Sequence, residues 1–278
     1  MPKNIPVPNI SGIDEMRDSA FLPYWFAYTE ANVELRSFKN ERGAGKSRPL
    51  FTRNMDLANN HCGRWDTPGR GMFFGCCTRE LGATRGRRQD LVECPGLWLD
   101  IDCEKDDIDE QEAIRALQTC AHPPNIIIKS GAGIHAYWRF TEPIFVRTDD
   151  IEAERDIVRA LKQLASIFAG DPKVCELARV LRLPGTMNSK YEGEPRPCVI
   201  NEHLPGDHEF QDIREWLNFQ VPLLTSKTTI EQGDGATGDQ TPPPSDPYRA
   251  VAERQGWKPA LDIEQMRADM KIGNIHET

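Results

Sequence analysis

The chain has 278 residues, 38% of them hydrophobic and 28% charged, and a formal net charge of -9. That is enough chain for one large domain with an appendage or for two small ones. Its acidity excludes a uniformly basic nucleic-acid binder, so any hold on a polyanion has to come from local patches. No uninterrupted apolar run approaches the roughly 18 residues of a membrane helix, and no signal-peptide pattern opens the chain. A soluble cytoplasmic protein that keeps clear of membranes is expected, with its eight cysteines as reduced thiols.

Residues 1–20 are proline-spaced and expected to be loosely ordered, with a short helix beginning over 11–17 and the core starting near Phe21. Residues 32–38 alternate as a strand does, and the polar stretch 40–49 reads as a loop. That loop contains Gly45-Lys46-Ser47, but the glycine a phosphate loop needs five positions earlier is Asn40, so a flexible basic loop is expected there. Residues 55–62 suit a helix and 71–77 a buried strand. His61, Cys62, Cys76, Cys77 and Cys94 include no Cys-x-x-Cys pair. Adjacent Cys76 and Cys77 in a strand would point to opposite faces, so zinc is not expected. Residues 78–88 carry Arg79, Arg85, Arg87 and Arg88 on a glycine-containing loop. Such a loop is suited to clamping a nucleic-acid backbone, or is simply solvated.

The chemistry concentrates after that. In Leu97-Trp98-Leu99-Asp100-Ile101-Asp102 a strand puts Asp100 and Asp102 on one face and Leu99 and Ile101 on the other. Their Cα atoms would be about 6.5 to 7 Å apart, a spacing from which two carboxylates can converge on divalent ions. A strand end running into an acidic loop would read the same way. The acids at Glu104, Asp106, Asp107, Asp109, Glu110 and Glu112 do not make a calcium loop, because Lys105 and Gln111 stand where glycine and glutamate are needed. They suit the start of a helix over 110–120 with Ala113, Leu117 and Cys120 facing inward.

After Pro123-Pro124, residues 125–129 read as a buried strand and 134–140 as its antiparallel partner, joined by Ser130-Gly131-Ala132-Gly133. Two glycines allow close approach of a ligand, and His135 beyond them can donate a charge-assisted hydrogen bond to a phosphate. An ordinary hairpin with an exposed histidine is the alternative. Residues 151–169 form an amphipathic helix with Ile157, Leu161, Leu164 and Phe168 at helical spacing. Asp171-Pro172 then suits a helix start and Pro184-Gly185 its end, which puts Arg179 and Arg182 on one helix face, with Lys190 beyond.

Taken in order, Asp-x-Asp, then Ser-Gly-x-Gly-x-His, then Asp-Pro followed by Ala-Arg-Val-Leu-Arg-Leu-Pro-Gly-Thr-x-Asn-x-Lys resembles the archaeo-eukaryotic primase superfamily. The likeness is to the primase-polymerases of phages, plasmids and integrated elements, and it covers roughly residues 74–204. The resemblance implies that Asp100, Asp102 and Asp171 are catalytic and hold two metals. It also implies that Ser130, Gly131 and His135 contact the incoming nucleotide and that Arg179, Arg182 and Lys190 neutralise its phosphates. Magnesium or manganese suits such all-oxygen ligands.

Residues 197–200 read as a returning strand and 212–217 as a closing helix. Residues 225–247, rich in serine, threonine, glycine and proline, have the composition of a mobile linker. Residues 248–278 read as short helices, similar to segments that lead from such primase domains to a helicase, so the native chain is expected to continue. The expected architecture is α/β: a mixed, largely antiparallel sheet with flanking helices and, by the resemblance, an RNA-recognition-like catalytic half within 21–224. The expected activity is primer synthesis and extension on single-stranded DNA from free nucleotides. A non-catalytic replication-initiator module and a nucleotide-sugar transferase that also uses Asp-x-Asp are the alternatives.

Overall fold

A computed structural model describes residues 18–40, 46–146, 151–190 and 194–230, with side chains to residue 220. The expected helix over 11–17, the Gly45 end of the basic loop and the helical segment 248–278 lie outside the described residues. So does all of the expected linker apart from its start, where the last helix runs on to Ile230.

The chain enters through a short helix, α1 (Phe21–Trp25), in which Phe21 and Trp25 are fully buried. The strands β1 (Val33–Lys39) and β2 (Arg48–Thr52) pair antiparallel. β2 was not expected, because Pro49 sits within a polar stretch. It is tolerated because β2 is the outer strand of its sheet, where a missing N–H leaves no ladder bond unmade. Helix α2 (Met55–Trp65) is capped by Asn54, which accepts from the Asp56 and Leu57 amides. It is followed by β3 (Arg70–Gly75), which lies against β1.

The strand β4 (Glu93–Ile101), at one end of its sheet, is buried along nearly its whole length. A short helix, α3 (Cys103–Asp106), turns the chain, and α4 (Glu110–Thr119) follows with Asp109 as its cap and Ala113 and Leu117 buried. The expected hairpin is present as β5 (Ile126–Lys129) and β6 (Ile134–Phe145), antiparallel, with β4 on the other side of β6. Helix α5 (Ile151–Ile167) buries Ile157, Leu161 and Leu164, as its spacing predicts.

The segment after Asp171 departs from the expected helix. Asp171 does cap a turn with Pro172 inside it, but the turn is a single 3-10 turn, Pro172–Val174. The chain then extends into β7 (Val180–Arg182) and β8 (Thr186–Asn188). Leu181 and Leu183 are buried and two apart, a strand period, and β3 offers an open edge that pairs Phe73 with Arg182 and Gly75 with Val180. Cross-strand pairing outweighs the helix propensity of Leu, Ala and Arg here. Strand β9 (Arg196–His203) and helix α6 (Phe210–Ile230) complete the chain.

Two antiparallel sheets result, β2-β1-β3-β7 and β4-β6-β5-β9-β8. An aromatic cluster ties them together: the ring of Phe21 lies 4.9 Å from Phe74 of β3 and 5.2 Å from Tyr137 of β6, and Trp25 lies 5.2 Å from Tyr137. All eight cysteines are free thiols. No helix among the described residues is long and apolar enough to cross a membrane.

Candidate active site

A cleft of about 260 Å³ lies where the two sheets meet. One wall belongs to the five-stranded sheet. Asp100, near the end of β4, stands directly opposite His135 of β6, and Asp102 follows as the strand ends. Asp171 joins them through its backbone, its N–H donating to the Asp100 carbonyl at 2.8 Å. Two glycines make this approach possible. A Cβ at Gly170 would overlap Leu99 and meet the Asp100 carbonyl at 3.1 Å. A Cβ at Gly133 would overlap the Ile101 carbonyl and come within 2.9 Å of the Cys103 amide. The hairpin turn and the end of α5 therefore both press on the aspartate strand at backbone distance.

The Asp171 side chain serves as a cap as well, Oδ1 accepting from the Lys173 amide at 2.9 Å. Burial, then the neighbouring Asp102 and Asp171 carboxylates, push Asp100 up to about 7 against the pull of Arg179 and Arg182. Its side chain is 26% exposed, with one oxygen 3.6 Å from the His135 Nε2.

His135 corrects an expectation. It is buried, and burial together with Arg182 lowers it to about 3, so in this structure it is a neutral ring rather than a cation. The Tyr137 hydroxyl lies 3.3 Å from its Nδ1. Burial holds the Tyr137 pKa well above its ordinary value, so that hydroxyl keeps its proton. The tautomer in which that hydroxyl donates to Nδ1 has its ring proton on Nε2, facing Asp100.

The opposite wall belongs to the four-stranded sheet. Arg182 of β7 is largely buried, its guanidinium 4.8 Å above the Phe73 ring. Arg179 is held by the Lys173 carbonyl and by Glu176 at 2.8 Å, while its buried Nε has no hydrogen-bond partner. Lys190 is exposed at the rim, past β8. Arg179 and Arg182 thus reach the cleft from a strand and its lead-in rather than from a helix face.

Ser130 lines the cleft with its Oγ donating to the Gly133 carbonyl at 3.1 Å. Gly131 does not line it. With φ at +91° and a hypothetical Cβ 3.0 Å from those of Asn188 and Arg196, it shapes the turn and borders a separate cavity of about 500 Å³. Asn188 was not singled out from the sequence. It is buried in the cleft wall and donates to the Ser130 carbonyl at 3.1 Å, tying β8 to the hairpin turn. Its place inside the long third motif was the available signal.

The arginine loop also divides. Arg79 is fully buried, 2.7 Å from Glu34 and bonded to the Cys77 carbonyl at 3.0 Å, so the expectation that it touches a nucleic acid is corrected: its charge is used inside the fold. Arg85, Arg87 and Arg88 are exposed, Arg88 pairing with Glu154 at 2.6 Å. No residue of this loop lines the cleft.

Residues 78–208 match the family described as the RepB DNA-primase N-terminal domain. Over those residues the chain is similar to a primase-type domain. The primase fold is shared with the AEP domain of the primase-polymerase of cyanophage S-2L, at 15% identity over 72% of this chain and 96% of that one, with a TM-score of 0.55. It is also shared with the primase RepB', at 10% identity over 78% and 67% of the two chains and a TM-score of 0.52. No curated protein sequence matches. The three carboxylates expected from the sequence, Asp100, Asp102 and Asp171, and every expected nucleotide-contact residue except Gly131, line this cleft.

Proposed function

We propose that this domain is a template-directed nucleotidyltransferase that makes and extends primers on single-stranded DNA, with the cleft between its sheets as the active site. The observation that carries the reading is the division of that cleft. Asp100 and Asp102 at the end of β4, with Asp171 bonded to that strand, form one wall, Arg179 and Arg182 of the four-stranded sheet form the other, and Lys190 stands at the rim past β8. A metal-bound triphosphate needs both walls.

The acids suit a hard divalent cation by donor chemistry. Asp100 is held near 7 largely by desolvation and by its two acidic neighbours, a repulsion that a cation would relieve. Among the described residues no three acidic, histidine or cysteine side chains are placed to hold a metal ion as they stand, so the three acids would have to converge on binding. Asp100, Asp102 and Asp171 would hold magnesium or manganese. When bound, the ions supply Lewis acidity at the transferring phosphate and lower the pKa of the attacking hydroxyl.

The protein's own groups do the rest. Arg182, fixed against Phe73, and Arg179 present guanidiniums to the phosphate oxygens, with Lys190 closing the rim. Neutral His135 donates from Nε2, and the Ser130 hydroxyl, engaged with Gly133, keeps lone pairs for a ligand donor.

The test is incorporation of labelled nucleotide on primed and unprimed single-stranded DNA with magnesium or manganese. Asp100→Asn, Asp102→Asn and Asp171→Asn should each abolish incorporation, by at least about 10³-fold, with no fall in melting temperature. Asparagine caps nearly as well as aspartate, so activity retained by Asp171→Asn would reduce Asp171 to a cap. DNA binding without incorporation by the unaltered protein would make it a binding module instead.

A further inference from the structure

Away from the cleft, a group of arginines lies close to an aromatic ring. Trp65 closes α2 and is half-buried. Three guanidiniums lie over it, those of Arg48, Arg64 and Arg70, at 4.9, 5.2 and 5.3 Å from the ring centroid, so a base reaches the ring by displacing one of the two exposed ones, Arg48 or Arg64. They come from different elements: the outer strand β2, α2 itself and β3. None of the three is in an ion pair among the described residues, although the chain as a whole carries nine excess negative charges. Arg48 and Arg64 are exposed, whereas Arg70 is fixed by donating to the Ser37 hydroxyl at 2.8 Å and the Ser37 carbonyl at 3.1 Å. Three like charges around one ring repel one another, and an anion would turn that repulsion into attraction.

The same residues reach back to the cleft. Asp66, next to Trp65, accepts from the Met187 amide at 3.2 Å, and the Ser189 hydroxyl donates to the Arg70 carbonyl at 2.6 Å. Asn40 donates to the Ser189 carbonyl at 2.5 Å. Met187 and Ser189 flank Asn188, and Asn188 and Lys190 both line the cleft. A ligand on Trp65 is therefore joined to the cleft wall through β8, beside the four-stranded sheet that carries Arg182.

We infer that Trp65, with Arg48, Arg64 and Arg70, is a stacking platform for one unpaired base of a single-stranded nucleic acid, the guanidiniums taking its flanking phosphates, and that it guides the template strand toward the cleft. An aromatic face binds any base, and surrounding cations track the backbone, so the site is tolerant of sequence but selective for unpaired strands. This rests on the proposed template-directed reading only for the identity of the strand. The platform itself rests on the geometry at Trp65.

Binding of a fluorescently labelled single-stranded oligodeoxynucleotide to the full chain, followed by anisotropy, tests it. Trp65→Ala should weaken binding about 5- to 150-fold, and Trp65→Phe should restore most of the loss. Arg48→Ala and Arg64→Ala, both at exposed positions, should each lower the steepness of log affinity against log salt by about 0.7, and Trp65→Ala should leave that slope unchanged. If Trp65→Ala unfolds, the exposed Arg48→Glu carries the test alone, with a loss of affinity expected. At saturating template, nucleotide KM should be unchanged in every variant. Unchanged affinity in the folded variants, or an equal loss toward a duplex of the same length, would overturn the platform. Loss of strand binding in a protein that never incorporates nucleotide supports the platform and removes the polymerase reading instead.

Discussion

The five-stranded sheet contributes the acids, Asp100 and Asp102 from β4 and Asp171 bound to β4 by its backbone, while the four-stranded sheet contributes the cations, Arg182 on β7 and Arg179 leading into it. The acids are placed by backbone-to-backbone closeness, with Gly133 and Gly170 as the points of approach. The cations are placed by side-chain stacking and pairing, Arg182 on Phe73 and Arg79 on Glu34. Acids held by backbone keep their spacing when neighbouring side chains change. Cations held by side chains depend on each partner.

The largest effect should come from the buried pair of the cation-bearing sheet. Arg79→Ala leaves the Glu34 carboxylate buried with only Arg36 beside it, and should cost about 3 to 5 kcal/mol in denaturant unfolding. A loss below about 1 kcal/mol would mean that Arg36 suffices and that this sheet is less dependent on pairing than the contrast holds.

Next comes the backbone contact on the acid-bearing side. Gly133→Ala has to push against the Ile101 carbonyl and the Cys103 amide, and should destabilise by about 1 to 3 kcal/mol. Gly170→Ala meets chiefly the far end of the flexible Leu99 side chain and should cost less. The reverse order would show that the end of α5, rather than the hairpin turn, sets the spacing of the acids.

The acid wall should also show itself in the pH dependence of stability. With Asp100 raised to about 7 from about 3.9 when unfolded, the folded state binds more protons between those values. The Asp100 contribution is therefore fully present below about pH 4 and lost as pH rises through 7. Asp100→Asn should melt higher than the unaltered protein at pH 8, by about 2 to 6 °C, with little difference at pH 4. Added manganese should raise the melting temperature of the unaltered protein at pH 8 and leave it unchanged at pH 5.

Much of the acid side was legible in the sequence. The alternation of Leu99 and Ile101 with Asp100 and Asp102 survives into β4, and the Asp171-Pro172 cap and the 130–133 turn are local signals that the fold keeps. The cation side was less so. Arg179-Val180-Leu181-Arg182 has helix-forming residues and becomes a strand because β3 offers an unpaired edge, which no local window contains. Arg79 looked like its loop neighbours because its partner Glu34 is remote in sequence. The neutrality of His135 follows from burial, which a single residue after a glycine turn does not announce.

Two smaller effects complete the series. His135→Gln should reduce nucleotide use about 2- to 13-fold, the worth of one neutral hydrogen bond of about 0.5 to 1.5 kcal/mol. A much larger loss, measured as kcat/KM, would mean that a bound triphosphate re-protonates the ring. Arg88→Ala, in a largely exposed pair with Glu154, should change stability by less than about 0.5 kcal/mol, and it should flatten the salt dependence of DNA binding only if the loop touches phosphate.

The hydrogen bond from the Asp171 amide to the Asp100 carbonyl also sets a timetable. Asp100 and Asp102 are made early, and the hairpin can form beside them while synthesis continues, but the third acid arrives only after α5 has been made and has turned back on the strand. A chain released or halted before that docking holds two of the three acids, with a pared-down charge cluster and little hold on a cation. Competence in cation binding therefore reports that the chain beyond α5 has closed back on the aspartate strand.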